Sequence, residues 1–261
     1  MASCTESKIE VNGCGINLRR GGSGPTLLFL HGAGGIPGWM PFLDTLSDSF
    51  DVVVPDHPTF GLSGDAEWLS DMGDMAYFYL DFIKQLGLEN IHVVGQSLGG
   101  WIALEVAVRS TQSISSLTLV GSAGIRVKGM PAADIFMMDP EELANALLVD
   151  QDIIKSMLSM ERTEAQEDIE IRNKVSTARM GWQPRLFNPS LRKWLHRIDV
   201  PTHVIWGDRD QIIPPAYAEE FKSLIAGASV TMLENCGHLP QVEAVGPFTE
   251  AVTGFISSWA T

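Results

Sequence analysis

One stretch constrains the architecture of this chain more than any other: Ile91-His-Val-Val-Gly-Gln-Ser-Leu-Gly-Gly-Trp101. Ile91 to Val94 is a β-branched, apolar run of the kind that fills a buried strand. Leu98 to Val108 is rich in Ala and Leu with apolar positions at helical spacing. Between them Gly95-Gln96-Ser97-Leu98-Gly99 forms a G-x-S-x-G pattern. Its glycines stand two residues either side of the serine, where a tight strand-to-helix turn brings backbones too close for a Cβ. Such a turn lifts the Ser97 hydroxyl clear of a sheet. It also aims the Leu98 N–H and the positive end of the following helix at the space in front of that hydroxyl.

The 261 residues suit one large α/β domain or a domain with an insertion, and 45% apolar content is ample for a core. No apolar run is long enough to span a bilayer. Met1-Ala-Ser-Cys-Thr-Glu-Ser-Lys8 lacks a basic-then-apolar leader pattern, so a cytoplasmic location is expected. A net charge of −14 without a basic cluster argues against nucleic acid or an anionic membrane as partner. The expected partner is a small-molecule substrate, with a homodimer as one open assembly. Cys4, Cys14 and Cys236 are scattered and show neither C-x-x-C nor metal-ligand spacing. Free thiols in a reduced protein are expected, with Cys236 read as a small buried apolar residue although it stands two residues before His238.

Short apolar strands alternate with helical segments along most of the chain, which calls for a mostly parallel sheet flanked by helices. Lys8 to Arg20 reads as an edge hairpin, and Thr26–Leu30, Asp51–Pro55, Ile91–Val94, Leu117–Val120, Thr202–Trp206 and Ser229–Leu233 as strands. Helices are expected over Trp39–Phe50, Met72–Leu86, Leu98–Val108, Ala216–Ala226 and Val245–Trp259. From Ile125 to His196 no convincing strand occurs. Helical stretches are expected at Glu141–Leu148, Asp152–Met160, Glu164–Met180 and Leu191–His196. The division expected is therefore a core over 1–122, a helical cap insertion over 123–196 and the rest of the core over 197–261. Six of the eleven methionines lie in the insertion, where flexible thioethers suit helix packing or an adaptable apolar surface.

Functional loops of a doubly wound sheet sit at the carboxyl ends of its strands. His31-Gly-Ala-Gly-Gly35 follows one strand directly and lacks both G-x-x-x-x-G-K-[ST] and G-x-G-x-x-G opening a helix, so neither a P-loop nor dinucleotide binding fits. No cofactor and no metal are expected. An oxyanion loop remains, with the Ala33 N–H as donor and Gly34 as the near alternative. Ser97, an acid at Asp208 or Asp210, and His238 occupy the same edge in that order. Of six histidines, His238 alone follows the last strand in a Gly-containing loop. A serine hydroxyl is a weak nucleophile until such a base takes its proton.

The chain resembles the α/β-hydrolase fold enzymes, specifically the small, cap-bearing carboxylesterase and C–C hydrolase kind. The motifs carrying the resemblance are His31-Gly32, Asp56 with Gly61-Leu-Ser63, Gly95-Gln-Ser97-Leu-Gly99, Gly207-x-x-Asp210 and Gly237-His238. It implies an α/β-hydrolase fold, with a mostly parallel central sheet and an inserted helical cap. It also implies a Ser97–Asp210–His238 triad, with Asp210 chosen over Asp208, and an oxyanion hole from the Ala33 and Leu98 N–H groups. Relatives that carry out dehalogenation or epoxide hydrolysis have Asp where this chain has Ser97. Ester cleavage through an acyl-Ser97 intermediate is therefore the first expectation. C–C bond hydrolysis of a dienoate or β-diketone is the second, with a cap arginine such as Arg126, Arg179 or Arg185 meeting a substrate carboxylate. Gln96 and Leu239 stand where the C–C hydrolases typically show Asn and Trp, and Thr59 where relatives usually have Gly. A triad-retaining receptor for a small ligand is the third. Gly34, Trp39, Gln96, Met137, Met138, Met160 and Leu239 are the expected substrate-binding residues.

Overall fold

A computed structural model describes residues 4–259. Met1–Ser3, the start of the stretch read for a leader, lie outside the described residues. Eight strands form one sheet: β1 (Thr5–Val11), β2 (Cys14–Gly21), β3 (Thr26–Leu30), β4 (Asp51–Pro55), β5 (Ile91–Gln96), β6 (Ile114–Val120), β7 (Thr202–Gly207) and β8 (Ser229–Leu233). Their spatial order is β1-β2-β4-β3-β5-β6-β7-β8. The first two pairings are antiparallel and the rest parallel. The helices are α1 (Pro41–Ser47), α2 (Met72–Gln85), α3 (Leu98–Ala107), α4 (Pro140–Leu147), α5 (Gln151–Ser159), α6 (Glu164–Gly181), α7 (Ala216–Leu224), α8 (Pro240–Glu243) and α9 (Val245–Trp259).

Strand periodicity explains the layering. Successive side chains point to opposite faces, and the central strands feed two separate cores by parity. Leu28, Leu30, Val93, Leu117, Leu119, Val204 and Trp206 join the core under α2, α3 and α7. Leu27, Phe29, Val94, Val120 and Ile205 join the core under α1 and α9. Strands buried on both sides are the near-continuous apolar runs seen in the sequence. Helix α3 is more enclosed than its spacing suggested: all ten residues are buried, so it has no solvent face.

Several boundaries differ from expectation for local reasons. Helix α1 starts at Pro41, whose ring suits the first helical position, and ends at Ser47 rather than running from Trp39 to Phe50. Strand β6 begins at Ile114, three residues early, because Ile91 pairs with it across a register irregularity. Leu191–Arg197 is a 3₁₀ segment. Helix α8, opened by Pro240, was not anticipated. Between β6 and β7 lie α4, α5 and α6, with Asp139 and Thr163 capping boxes starting α4 and α6. None of the described helices is long and apolar enough to cross a membrane.

The two glycines around the turn after β5 are spatial necessities. A Cβ on Gly95 would lie 2.5 Å from the Gly99 carbonyl oxygen and 2.7 Å from Gly100 Cα, both rigid backbone. Gly95→Ala is therefore expected to destabilise the fold by about 2 kcal/mol or more. Urea denaturation checks this, and an unchanged midpoint would refute it.

Candidate active site

Ser97 is the single residue between the end of β5 and the start of α3. Its backbone sits at φ 53°, ψ −112°, a conformation that L-residues rarely adopt. It is held by three hydrogen bonds: its N–H donates to Val120 O (2.8 Å), and its carbonyl accepts from the Trp101 and Ala123 N–H groups (3.1 Å each). Its side chain meets a continuous polar line. His238 Nε2 lies 2.9 Å from Ser97 Oγ, and His238 Nδ1 lies 2.7 Å from Asp210 Oδ2. A carboxylate only accepts, so Nδ1 carries the proton and Nε2 presents its lone pair to the serine hydroxyl. The other Asp210 oxygen, Oδ1, accepts from the Ile212 and Ile213 N–H groups at 2.8 Å each, which fixes the carboxylate. Asp208 braces the loop instead, accepting from the Cys236 N–H.

The His238 loop is anchored to the inserted helices. The His238 N–H donates to Leu147 O, at the end of α4, at 2.7 Å. Glu243 of α8 accepts from the Gly237 N–H through one oxygen (2.6 Å) and from the Val149 and Asp150 N–H groups through the other (2.5 and 2.8 Å). Gly121, at φ 51° after β6, leaves room for the imidazole, because a Cβ there would lie 3.2 Å from the ring. Glu243 and Gly121 carry no motif that marks them for the site; only their places just after His238 and β6 could have drawn notice.

The loop after β3 approaches the serine closely: a Cβ on Gly32 would sit 3.3 Å from Ser97 Cβ. Neither the Ala33 nor the Leu98 N–H has an acceptor among the described residues. Behind the loop, His31 and His57 are buried with their rings 3.7 Å apart. The His57 backbone N–H donates to His31 Nε2 (3.1 Å), so His31 carries its proton on Nδ1 and donates it to Gly32 O (2.8 Å). His57 Nε2 donates to His31 O (2.9 Å), leaving Nδ1 to accept from the Tyr79 hydroxyl. Protonating His31 would set its Nε2–H against the His57 backbone N–H, and protonating His57 would make the buried Tyr79 hydroxyl accept where it now donates; burial lowers the pKa of both, that of His57 to well below the ordinary value. Among the described residues no cluster of three or more His, Cys, Asp or Glu side chains could hold a metal. Cys236 is buried, and burial raises its thiol pKa to about 12, so it is an inert neighbour.

The sequence profile of the alpha/beta hydrolase family matches residues 27–251. This chain belongs to the alpha/beta hydrolase family. It is 32% identical over 248 residues to the dihydrolipoyllysine-residue acetyltransferase component of the acetoin cleaving system of Cupriavidus necator, covering 88% of this chain but only 63% of that relative. It is 31% identical over 262 residues to Lipase 1 of Psychrobacter immobilis, covering 90% of this chain and 78% of the lipase. With 2-hydroxymuconate semialdehyde hydrolase of Pseudomonas sp. strain CF600 it shares 28% identity, covering 95% of this chain and 93% of the relative.

Within this alpha/beta hydrolase the expected substrate-binding residues fall into two sets. Gly34 is exposed beside the loop, with its carbonyl held by Asn173. Gln96 is buried and donates to His238 O (3.3 Å), so it ties β5 to the histidine loop. Leu239 packs against the small cluster of Ala144, Leu148 and Ile154. Met138 packs partly buried on the main core and lines a surface cavity of about 520 Å³ with Arg209 and Gln211. Trp39, Met137 and Met160 form the second set. The Trp39 ring lies against Gly21 of β2. Gly21 pairs with Val52 near the start of β4, toward the strand end opposite Ser97. Met137, within a turn, and Met160, at the end of α5, are 74% and 61% exposed. Missed by sequence reasoning were Arg172, Asn173, Ser176 and Thr177 of α6, which donate to carbonyls of the loops below.

The buried histidines make stability pH-dependent. Burial lowers the pKa of His31 and His57, and it takes His203, in β7, from 6.5 to about 4. The unfolded chain binds protons at these residues near pH 6.5 and the folded chain resists them, so stability falls as pH drops below about 6.5. For His203 the slope approaches about 1.4 kcal/mol per pH unit between about pH 6.5 and 4. Urea midpoints between pH 7.5 and 4.5 should decline, and His203→Gln should flatten the decline; a pH-independent midpoint would contradict the assignment.

Proposed function

We propose that this alpha/beta hydrolase is a serine hydrolase that cleaves an ester with a small or medium apolar group through an acyl-Ser97 intermediate. The observation that carries the reading is the hydrogen-bonded line from Asp210 through His238 to Ser97 Oγ. In this mechanism Ser97 Oγ attacks the ester carbonyl and its proton passes to His238 Nε2. Asp210 holds the imidazole in the tautomer that accepts that proton and stabilises the charged ring that results. The negative charge growing on the carbonyl oxygen meets the Ala33 and Leu98 N–H groups, with the start of α3 adding its dipole. His238 then returns the proton to the departing alcohol, and water repeats the sequence on the acyl-serine. Apolar substrates fit the surroundings: Leu239, next to the base, leads into Ala144, Leu148 and Ile154 with Leu147, Ile153 and Met157. The likeness to Lipase 1 also supports an ester.

A second reading, C–C bond hydrolysis of a dienoate or β-diketone, is favoured by near full-length similarity to 2-hydroxymuconate semialdehyde hydrolase. Comparing turnover of p-nitrophenyl esters with cleavage of a diketone and a dienoate separates the two. Ser97→Ala is expected to lower p-nitrophenyl butyrate turnover by about a thousandfold or more. Turnover unchanged by that substitution would overturn the acyl-serine reading.

A further inference from the structure

We propose that helix α6 sets the direction of the oxyanion donors, with Asn173 and Thr177 acting as positioning residues. The proposal rests on the acyl-Ser97 reading. The helix turns a polar face inward: Asn173, Ser176 and Thr177 are buried, while Ile171 and Val175 are 59% and 57% exposed. Thr177 Oγ1 donates to Ala33 O (3.2 Å), and Asn173 Nδ2 donates to Gly34 O (2.8 Å). Asn173 also accepts from the Gly61 N–H through Oδ1 (2.8 Å), so its amide spans two loops.

Peptide planarity carries this hold to the donors. In a trans peptide the C=O and the next N–H point in opposite directions. Fixing Ala33 O therefore fixes the Gly34 N–H. Fixing Gly34 O fixes the Gly35 N–H, which donates to Gly32 O at 3.0 Å. Gly32 O shares its peptide with the Ala33 N–H, and His31 Nδ1 grips the same oxygen. Two linked peptides thus transmit the position of α6 to the Ala33 N–H. Gly35 completes the fit: it has φ 78°, and a Cβ on it would sit 2.5 Å from Asn173 Nδ2. The Ala33 N–H is therefore aimed from the insertion as well as from the sheet.

The test uses a fluorophosphonate probe, which needs no knowledge of the natural substrate. Ser97 Oγ bonds to phosphorus, fluoride leaves, and the serine proton passes to His238. Asn173→Ala should slow labelling about tenfold or more, and lower kcat on p-nitrophenyl butyrate by a similar factor with KM changed less than about twofold. Thr177→Val, nearly isosteric, should slow labelling by a smaller factor and serves where Asn173→Ala does not fold. Asn173→Asp keeps the acceptor for Gly61 but loses the donor to Gly34, so it should be impaired like Asn173→Ala. Folded Asn173→Ala or Thr177→Val labelled at the wild-type rate would overturn this inference alone, as would an Asn173→Asp rate equal to wild type. Absence of labelling in the wild type would overturn the acyl-serine reading and this inference with it.

Discussion

Ser97 occupies a backbone conformation that costs an ordinary residue about 1–3 kcal/mol, and the centre of the protein is arranged to hold it there. Three backbone hydrogen bonds reach the residue from β6, from α3 and from the segment after β6. At roughly 1 kcal/mol each, such bonds are of the size needed to offset the strain. They exist only because the neighbouring chains approach closely. A Cβ on Gly99 would lie 2.6 Å from the His31 carbonyl oxygen, and one on Gly100 would lie 2.7 Å from Ser122 Cβ. The strained serine, the glycines around it and the full burial of α3 are one structural fact seen from three sides.

Much of this was legible because it depends on local pattern. Strands buried on both faces must be apolar throughout, so β3, β4, β5 and β7 stand out as short runs of Val, Leu and Ile. Glycine at 95 and 99 marks a turn with no space for side chains. The order Ser97, Asp210, His238 places the three residues at one sheet edge once the strands alternate with helices. The choice of Asp210 over Asp208 came from resemblance, and the geometry gives its reason: Asp210 Oδ1 is fixed by two N–H groups while Oδ2 faces the imidazole.

The inserted helices were found as helices, but their orientation was not legible. Periodicity arguments assume that the apolar side of a helix turns inward. Helix α6 reverses this over Ile171 to Thr177, because the loops beneath that stretch present carbonyl groups, while Met180 near its end still packs in the main core. Ala33 O, Gly34 O, Thr59 O and Ser63 O all face the helix and require donors once covered. Arg172, Asn173, Ser176 and Thr177 supply them, and Ile171 and Val175 are left outside. The same limit explains Trp39, Met137 and Met160, whose apolar character suggested a pocket without fixing which way the chain would turn them.

The two loops that flank Ser97 therefore share a dependence on the insertion. On one side α6 holds the carbonyls of Ala33 and Gly34. On the other the last carbonyl of α4 accepts the His238 N–H, and Glu243 joins Gly237 to Val149 and Asp150. A movement of α4 through α6 that widened access to Ser97 would strain or break hydrogen bonds to the histidine loop and to the oxyanion loop together. On the acyl-Ser97 reading, a substitution in α4 or α6 that shifts these hydrogen bonds should change kcat even where no residue touching the reacting atoms has changed.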